Sequence, residues 1–288
     1  MQGINIKQFS VSADHLIIKQ LGLRKIVRRN YYQLLQRLNK SDIDLELSVI
    51  SANPRFKAGT TNIFGRPFKF HDGRSFTNTY RELFQSDIYK FTASNDARTI
   101  LDCGANMGLS VLYFASNYPE HRIIAFEPDA EICNVLRENV ETFELKNVTI
   151  HQKAVWNKKE TLSFFTDRGM GGRVEQSYKD QKPVEIEAIP LSDFLTEDVD
   201  FLKIDIEGAE ETVLTGCKDI LYKANHIFFE YHNSIKEPQA LHKMLELVSS
   251  QGFTYYIKES DVRKRPFIEE HIIVEIFDMA LNIFCYKK

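Results

Sequence analysis

The sequence has few cysteines and no pairing pattern among them. Its four cysteines, Cys103, Cys133, Cys217 and Cys285, are widely spaced, and none forms a CxxC pair. A disulfide framework or a cysteine-based metal site needs closer and more regular spacing. We therefore expect the four thiols to be small buried groups in a reducing compartment.

Long apolar runs and an excess of one charge are also lacking. No apolar stretch approaches the ~20 residues that a membrane-spanning helix needs, and no signal peptide is visible at the N-terminus. The 288 residues carry a formal net charge of −3, which argues against nucleic-acid binding through bulk electrostatics. These absences predict a cytoplasmic protein without a membrane span.

Hydrophobic residues make up 43% of the chain, which is enough for one large domain with an appendage. Breakers between residues 51 and 61 place a boundary near residue 60. Residues 1–60 then form a helical extension, with helices over 14–40 and 42–50, and residues 61–288 form the main domain. The extension is rich in basic residues, which we interpret as a solvated helix face, with docking to an anionic partner or membrane as the alternative.

From residue 99 onward, short apolar runs alternate with segments of helical periodicity. Strands are predicted over residues 99–101, 122–126, 148–155, 162–166, 184–189, 201–206, 226–231, 253–258 and 281–286, preceded by one over 62–70. Helices are predicted over residues 79–91, 109–118, 129–143, 210–214 and 239–249. The alternation predicts a doubly wound, mostly parallel α/β sheet with helices on both faces, whose ligands bind where strands end.

A glycine-containing loop, residues 102–108, follows the first of these strands. Gly104 and Gly108 are spaced GxxxG, and Asn106 stands where a dinucleotide-binding loop has its middle glycine. This pattern fits a pyrophosphate poorly and favours a cofactor whose amino-acid tail lies along the loop. Asp102 adds a carboxylate that would attract an ammonium group. A tight turn without any ligand is the alternative.

Acidic residues end two further strands. Glu127 lies about twenty residues past the loop, where an acid can accept hydrogen bonds from both ribose hydroxyls. Lys203, Asp205 and Glu207 alternate with apolar residues and so share one face of a strand that we expect to be central. Charges there are costly unless they are paired or used, which indicates a functional site. The alternative is a Lys203–Asp205 ion pair with Glu207 as a solvated acid.

Three strings resemble the FkbM family of class I methyltransferases, namely ILDCGANMGLS, IAFEPD and DFLKIDIEGAEETVL. The resemblance extends over residues 62–288 in element order and is most specific at residues 203–210, KIDIEGAE. It implies a Rossmann-like fold with a seven-stranded sheet. It also implies S-adenosyl-L-methionine-dependent O-methylation of a hydroxyl on a carbohydrate or secondary-metabolite acceptor. Residues 1–60 match nothing in the family.

The resemblance also implies a set of cofactor contacts. They are Asp102, Gly104, Ala105, Asn106 and Gly108 for the methionine part, Glu127 for the ribose, Pro128, Asp129, Ala154 and Val155 for the adenine, and Asp205 and Tyr89 on the cofactor side. An alcohol acceptor further needs a base for its proton. The candidate catalytic residues are Asp205, Glu207, Glu230 and His232.

Two questions stay open at the level of sequence. Asp205, Glu207 and Glu230 could instead hold a divalent cation through oxygen ligands, and the spacing does not decide this. The glycine-rich loop Arg168–Arg173 could close over an anionic or sugar-phosphate acceptor, or it could be a hairpin loop with incidental charge. The rival functions are a non-catalytic cofactor-binding scaffold and an NAD(P)-dependent oxidoreductase.

Overall fold

The computed structural model describes residues 40–165, 173–174, 183–234, 238–259 and 277–287. Its α-helices are α1 (Lys40–Ser51), α2 (Gly73–Tyr80), α3 (Leu109–Asn117), α4 (Ala130–Thr142), α5 (Glu210–Gly216) and α6 (Leu241–Ser250). A π-helical turn, Arg81–Gln85, continues α2, and short 3₁₀ turns cover Leu191–Phe194 and Leu221–Lys223. The predicted helix over 14–40, except for its last residue, and residues 168–172 of the glycine-rich loop lie outside the described residues.

In the part of the chain that the structure describes, the strands form three sheets. In chain order they are β1 (Gly59–Thr61), β2 (Phe68–Phe70), β3 (Thr99–Cys103), β4 (Arg122–Phe126), β5 (Val148–His151), β6 (Ala154–Trp156), β7 (Glu160–Phe165), β8 (Arg173–Val174), β9 (Val184–Pro190), β10 (Val199–Ile204), β11 (Ala224–Ser234), β12 (Thr254–Glu259) and β13 (Phe277–Tyr286). The central sheet has seven strands in the order β12-β13-β11-β10-β3-β4-β5. Strand β13 is antiparallel to both its neighbours, and the other pairs are parallel. The predicted doubly wound, mostly parallel sheet is confirmed.

Side chains that alternate along the central strands belong to two hydrophobic cores, one on each face of the sheet. Ile100 and Phe228 point to one face and pack in the same cluster as the buried side of α3. Leu101, Ile204 and Phe229 point to the other face, where they pack with apolar residues of α5 and α6. The central strands are therefore covered by helices on both faces, as expected for a parallel sheet that lies inside the protein.

Three predicted elements differ from the structure. The strand over residues 62–70 is wrong for residues 62–67, which form the turn of the hairpin β1–β2, with Gly65 at a φ of +76°. The helix over 79–91 begins earlier, because the Asp72 side chain caps α2 by accepting the Ser75 N–H, and its helical part ends at Gln85. The strand over 148–155 is two strands, β5 and β6, which belong to different sheets.

Other expectations agree with the structure. The second N-terminal helix is present as α1, whose Leu47 and Ile50 pack in one core with Phe64. Asp129 caps α4. All four cysteines are free and buried, as expected. Within the described part of the chain, no helix combines the length and apolar character needed to cross a membrane. The domain boundary near residue 60 stays a prediction.

Candidate functional site

A cleft of about 260 Å³ opens at the carboxyl ends of the central strands, beside β3 and β10. The chain leaves β3 toward one side of the sheet and reaches β10 on the other, which is the switch point where such sheets bind ligands. The predicted site residues that line this cleft are Tyr89, Gly104, Ala105, Asn106, Glu127, Pro128, Asp129, Ala154, Val155, Asp205, Glu207 and Glu230. Asp102, Gly108 and His232 are not part of its lining.

Both glycines of the loop after β3 have a left-handed backbone conformation and lie against other parts of the protein. A Cβ atom at Gly104, whose φ is +83°, would lie 1.8 Å from the carbonyl oxygen of Asp205. A Cβ at Gly108, with a φ of +92°, would lie 2.6 Å from Leu136 Cδ1. Gly104 therefore lets the ends of β3 and β10 approach each other, which brings the loop and Asp205 to the same cleft.

We expect Gly104→Ala to lower the free energy of unfolding by about 2–5 kcal/mol, from left-handed backbone strain together with the clash at Asp205. The matched control is Gly252→Ala, because Gly252 has nearly the same φ, +85°, but no atom of the described residues lies within 4 Å of the added Cβ. That control should lose about 1–2 kcal/mol from the strain alone. Urea unfolding of the two variants measures the difference, and equal losses would contradict the role given to the close approach.

The loop has no spare backbone donor between Gly104 and Gly108. Each of its five N–H groups donates a hydrogen bond within the protein. The N–H groups of Gly104 and Ala105 both donate to Phe126 O, at 3.0 and 2.9 Å, and that of Asn106 donates to Glu127 Oε2 at 2.9 Å. The Met107 N–H donates to Asn106 Oδ1 at 2.7 Å, and the Gly108 N–H donates to Ala105 O at 2.9 Å. A pyrophosphate site needs such N–H groups for the phosphate oxygens. The loop geometry thus supports the inference drawn from the missing middle glycine.

Glu127 is a buried carboxyl group at the rim of this loop. Its two oxygens accept the N–H groups of Asn106 and Asp129, both at 2.9 Å, so the side chain is held in one position. Burial raises the pKa of Glu127 to about 7, although the two N–H donors oppose this shift. Each carboxylate oxygen keeps a lone pair for a further donor, so the side chain can also accept hydrogen bonds from a ligand.

Lys203 joins the ends of β3 and β10. It stands opposite Asp102 in the register of the two strands, and its Nζ lies 3.3 Å from Asp102 Oδ1 and 3.4 Å from Asp205 Oδ2. Its ammonium also donates to Gly104 O at 2.9 Å and Cys103 O at 3.3 Å. Burial by itself would lower the pKa of Lys203, but the two carboxylates outweigh it and the pKa is raised.

This arrangement explains why Asp102 does not line the cleft. Asp102 is fully buried behind the loop, where it accepts the Ser110 hydroxyl at 2.6 Å and faces the ammonium of Lys203. The sequence predicts that Asp102 attracts an ammonium group of a ligand, but the ammonium that the structure places beside it belongs to the protein. Asp102 is therefore a support of the loop in this structure.

Three carboxyl groups and one imidazole meet at the ends of β10 and β11. His232 Nε2 lies 3.7 Å from Glu230 and 3.8 Å from Glu207, and its Nδ1 lies 3.5 Å from Glu210. Burial would lower the pKa of His232, but these carboxylates raise it well above its ordinary value. The pKa of Glu230 is also raised, first by burial and then by Asp205 and Glu207, against the effect of His232.

Glu210 is a residue of this site that the sequence-based selection missed, although it ends the KIDIEGAE string. It is buried, and its carboxylate accepts the N–H groups of Ile206 at 3.1 Å and Gly208 at 2.9 Å. Those bonds hold the turn in which Glu207 has a φ of +56°.

Among the described residues, no group of three or more His, Cys, Asp or Glu side chains has a geometry suited to a metal ion.

The fold and the cleft together define a class of protein. When the seven strands of the central sheet are numbered from β3 along the chain, their order is 3-2-1-4-5-7-6. Only strand 7, which is β13, runs antiparallel to its neighbours. This is the Rossmann-like fold of the class I methyltransferases. The chain belongs to the FkbM methyltransferase family, since the family model described as "Methyltransferase FkbM domain" matches residues 102–255.

Individual relatives are similar at a moderate level. Methyltransferase 1 of Beauveria bassiana is 28% identical over 165 residues, which are 49% of this chain and 66% of that protein. The 2-O-methyltransferase NoeI of Sinorhizobium fredii is 26% identical over 153 residues, 46% of this chain and 62% of that protein. The chain thus spans just under two-thirds of the length of these two relatives.

A solved structure is also similar to this chain. The alignment with the crystal structure of methyltransferase FkbM from Methylobacillus flagellatus covers 90% of this chain and 59% of that chain, with 18% sequence identity and a TM-score of 0.42.

Proposed function

We propose that the protein is an S-adenosyl-L-methionine-dependent O-methyltransferase that acts on a hydroxyl group of a carbohydrate or secondary-metabolite acceptor. The observation that carries the proposal is one cleft in which Glu127, the Gly104–Asn106 loop and the carboxylates of Asp205, Glu207 and Glu230 meet. Family membership supports methyl transfer. The name of one relative, a 2-O-methyltransferase, supports oxygen as the accepting atom.

The residues present fit the cofactor. Glu127 would accept its ribose hydroxyls, the loop from Gly104 to Asn106 would lie along its methionine part, and Ala154 and Val155 would border its adenine. When bound, S-adenosylmethionine supplies an electrophilic methyl group, so the protein's task is to orient the acceptor and manage one proton. The internally used N–H groups of the loop speak against a nicotinamide dinucleotide as the ligand.

The acceptor hydroxyl must lose its proton during methyl transfer. Asp205, Glu207 and Glu230 line the cleft and can take that proton, whereas His232 lies behind them. We therefore assign His232 the role of a positioning residue whose positive charge compensates Glu207 and Glu230. Because the pKa of Glu230 is raised, its carboxyl group can hold a proton and donate a hydrogen bond to the acceptor, and Asp205 or Glu207 is then the group that takes the acceptor's proton.

Calorimetry tests the cofactor assignment. We expect micromolar binding of S-adenosylmethionine and S-adenosylhomocysteine, and no binding of NADH. Failure of both adenosyl ligands to bind at millimolar concentration contradicts the proposal, and binding of NADH would favour the oxidoreductase. Binding of S-adenosylmethionine without formation of S-adenosylhomocysteine on any hydroxyl acceptor would favour the non-catalytic scaffold.

A further inference from the structure

The cleft contains a buried amide that the proposed cofactor contacts do not use. Asn282 lies on β13, where its Cα is paired with that of Glu230 on β11 and with that of Lys258 on β12. Its side chain lines the cleft and is only 7% exposed. Within the described residues its carboxamide makes no hydrogen bond, and it is not one of the fully buried polar groups that lack a partner, so solvent in the cleft reaches it and an entering ligand can take the place of water there.

The facing wall comes from α2 and the π-helical turn that follows it. Asn78, Thr79 and Glu82 line the cleft from this side. The pKa of Glu82 is raised, first by burial and then by the nearby Asp205, with Lys258 opposing the shift. Glu82 and Asp205 both line the cleft, so they border one continuous space. A helix with a π-helical turn often lies at a functional site.

Acidic side chains outnumber basic ones along this space. Four carboxyl groups line it, those of Glu82, Asp205, Glu207 and Glu230. The ammonium of Lys203 is already shared between Asp102 and Asp205, and Lys153 pairs with Glu187 at 2.6 Å. An acidic space with few uncommitted cations repels an anionic group and accepts hydrogen bonds from hydroxyl or ammonium groups.

We propose that Asn282, Glu230 and Glu82 form an acceptor subsite for an uncharged or cationic polyol, such as a sugar or an amino sugar. The carboxyl groups of Glu230 and Glu82 exchange hydrogen bonds with neighbouring hydroxyl or amino groups, and the Asn282 carboxamide, which both donates and accepts, fixes one of these groups. This inference rests on the proposed O-methyltransferase function. It argues against an anionic acceptor, which the arginine residues of the Arg168–Arg173 loop suggest at the level of sequence.

Calorimetry on protein saturated with S-adenosylhomocysteine, with a chelator present, tests the subsite. The probes are glucosamine, methyl glucoside and glucuronate, which differ mainly in charge. We expect glucosamine and methyl glucoside to bind, and glucuronate to bind at least about tenfold more weakly, since one unfavourable contact of ~1.4 kcal/mol gives that factor. Glu82→Gln should reduce the ratio of the affinity for glucosamine to the affinity for glucuronate.

Asn282→Ala should weaken methyl glucoside binding about tenfold, the effect of one lost hydrogen bond. The affinity for S-adenosylhomocysteine should stay unchanged, and the surface variant Asn134→Ala should change neither affinity. Equal or tighter binding of glucuronate, an Asn282→Ala variant that binds like wild type, or no binding of any probe overturns the inference. Loss of S-adenosylhomocysteine binding itself would instead refute the proposed function.

Discussion

Glu127→Gln is expected to weaken S-adenosylhomocysteine binding by about 30- to 100-fold, because a charged acceptor of two ribose hydroxyls becomes a neutral one. The wild-type affinity should rise with pH up to about 7 and then level off, since the pKa of Glu127 is about 7 and ribose donors favour the ionised carboxylate. In the variant this pH dependence should vanish. Calorimetric titrations from pH 5.5 to pH 8, limits that each lie about a unit or more from that pKa, measure the affinity of the variant and the pH dependence of the wild-type affinity.

The control for this variant is Glu141→Gln, which removes the same charge from an exposed position on α4. It should bind S-adenosylhomocysteine like the wild-type protein at every pH. If Glu127→Gln binds as tightly as this control, Glu127 does not hold the ribose, and the assignment of the cofactor site is wrong.

The same carboxyl group makes stability depend on pH. Its pKa rises from an ordinary 4.5 to about 7 on folding, so the folded protein binds more protons than the unfolded chain in that interval. The free energy of unfolding should therefore fall as the pH rises through this window, by about 3 kcal/mol from this group. Urea unfolding across the window should show a smaller fall in Glu127→Gln, and an identical fall would contradict the raised pKa.

Lys203→Met is expected to lower the free energy of unfolding by about 3–5 kcal/mol, because it leaves the fully buried carboxylate of Asp102 without its counter-charge. The variant should also lose S-adenosylhomocysteine binding, since the Lys203 ammonium holds the carbonyl of Gly104 at 2.9 Å. Urea unfolding and calorimetry measure the two effects.

Two further variants make this prediction decisive. Lys203→Met combined with Asp102→Asn removes both charges and should recover most of the lost stability, even if the single variant does not fold. Lys243→Met removes a lysine from an exposed pair with Glu211, which should cost no more than about 1 kcal/mol. A single variant as stable as Lys243→Met would show that the buried pair is not a structural support.

Much of the fold could be read from local patterns. The strand Arg122–Phe126 and the capped helix after Asp129 have the predicted bounds within a residue. These elements are set by hydrophobic period and by capping, which act over a few neighbouring residues. The prediction failed around residues 62–67, where the glycine and proline of a hairpin turn interrupt an alternating pattern.

The site was predictable only in part. Glu127 and Asp205 were identified because they follow strands whose ends must meet at one edge of the sheet. Glu82 and Asn282 carry no signal of this kind, because neither of them ends a strand. Glu82 reaches the cleft through the packing of the π-helical turn, and Asn282 reaches it through the pairing of β13. His232 was placed on the correct strand, but its depth behind the carboxylates depends on packing.

The sequence by itself determined the alternation of strands and helices, the glycine loop after β3 and the acids that end the strands. The tertiary structure alone decided what those groups face. The loop suggested a ligand, yet its glycines make room for Asp205 and α4, its N–H groups are used within the protein, and Asp102 faces Lys203. The reason is that strand register and close approach between segments about one hundred residues apart depend on packing across the whole sheet, which no local pattern records.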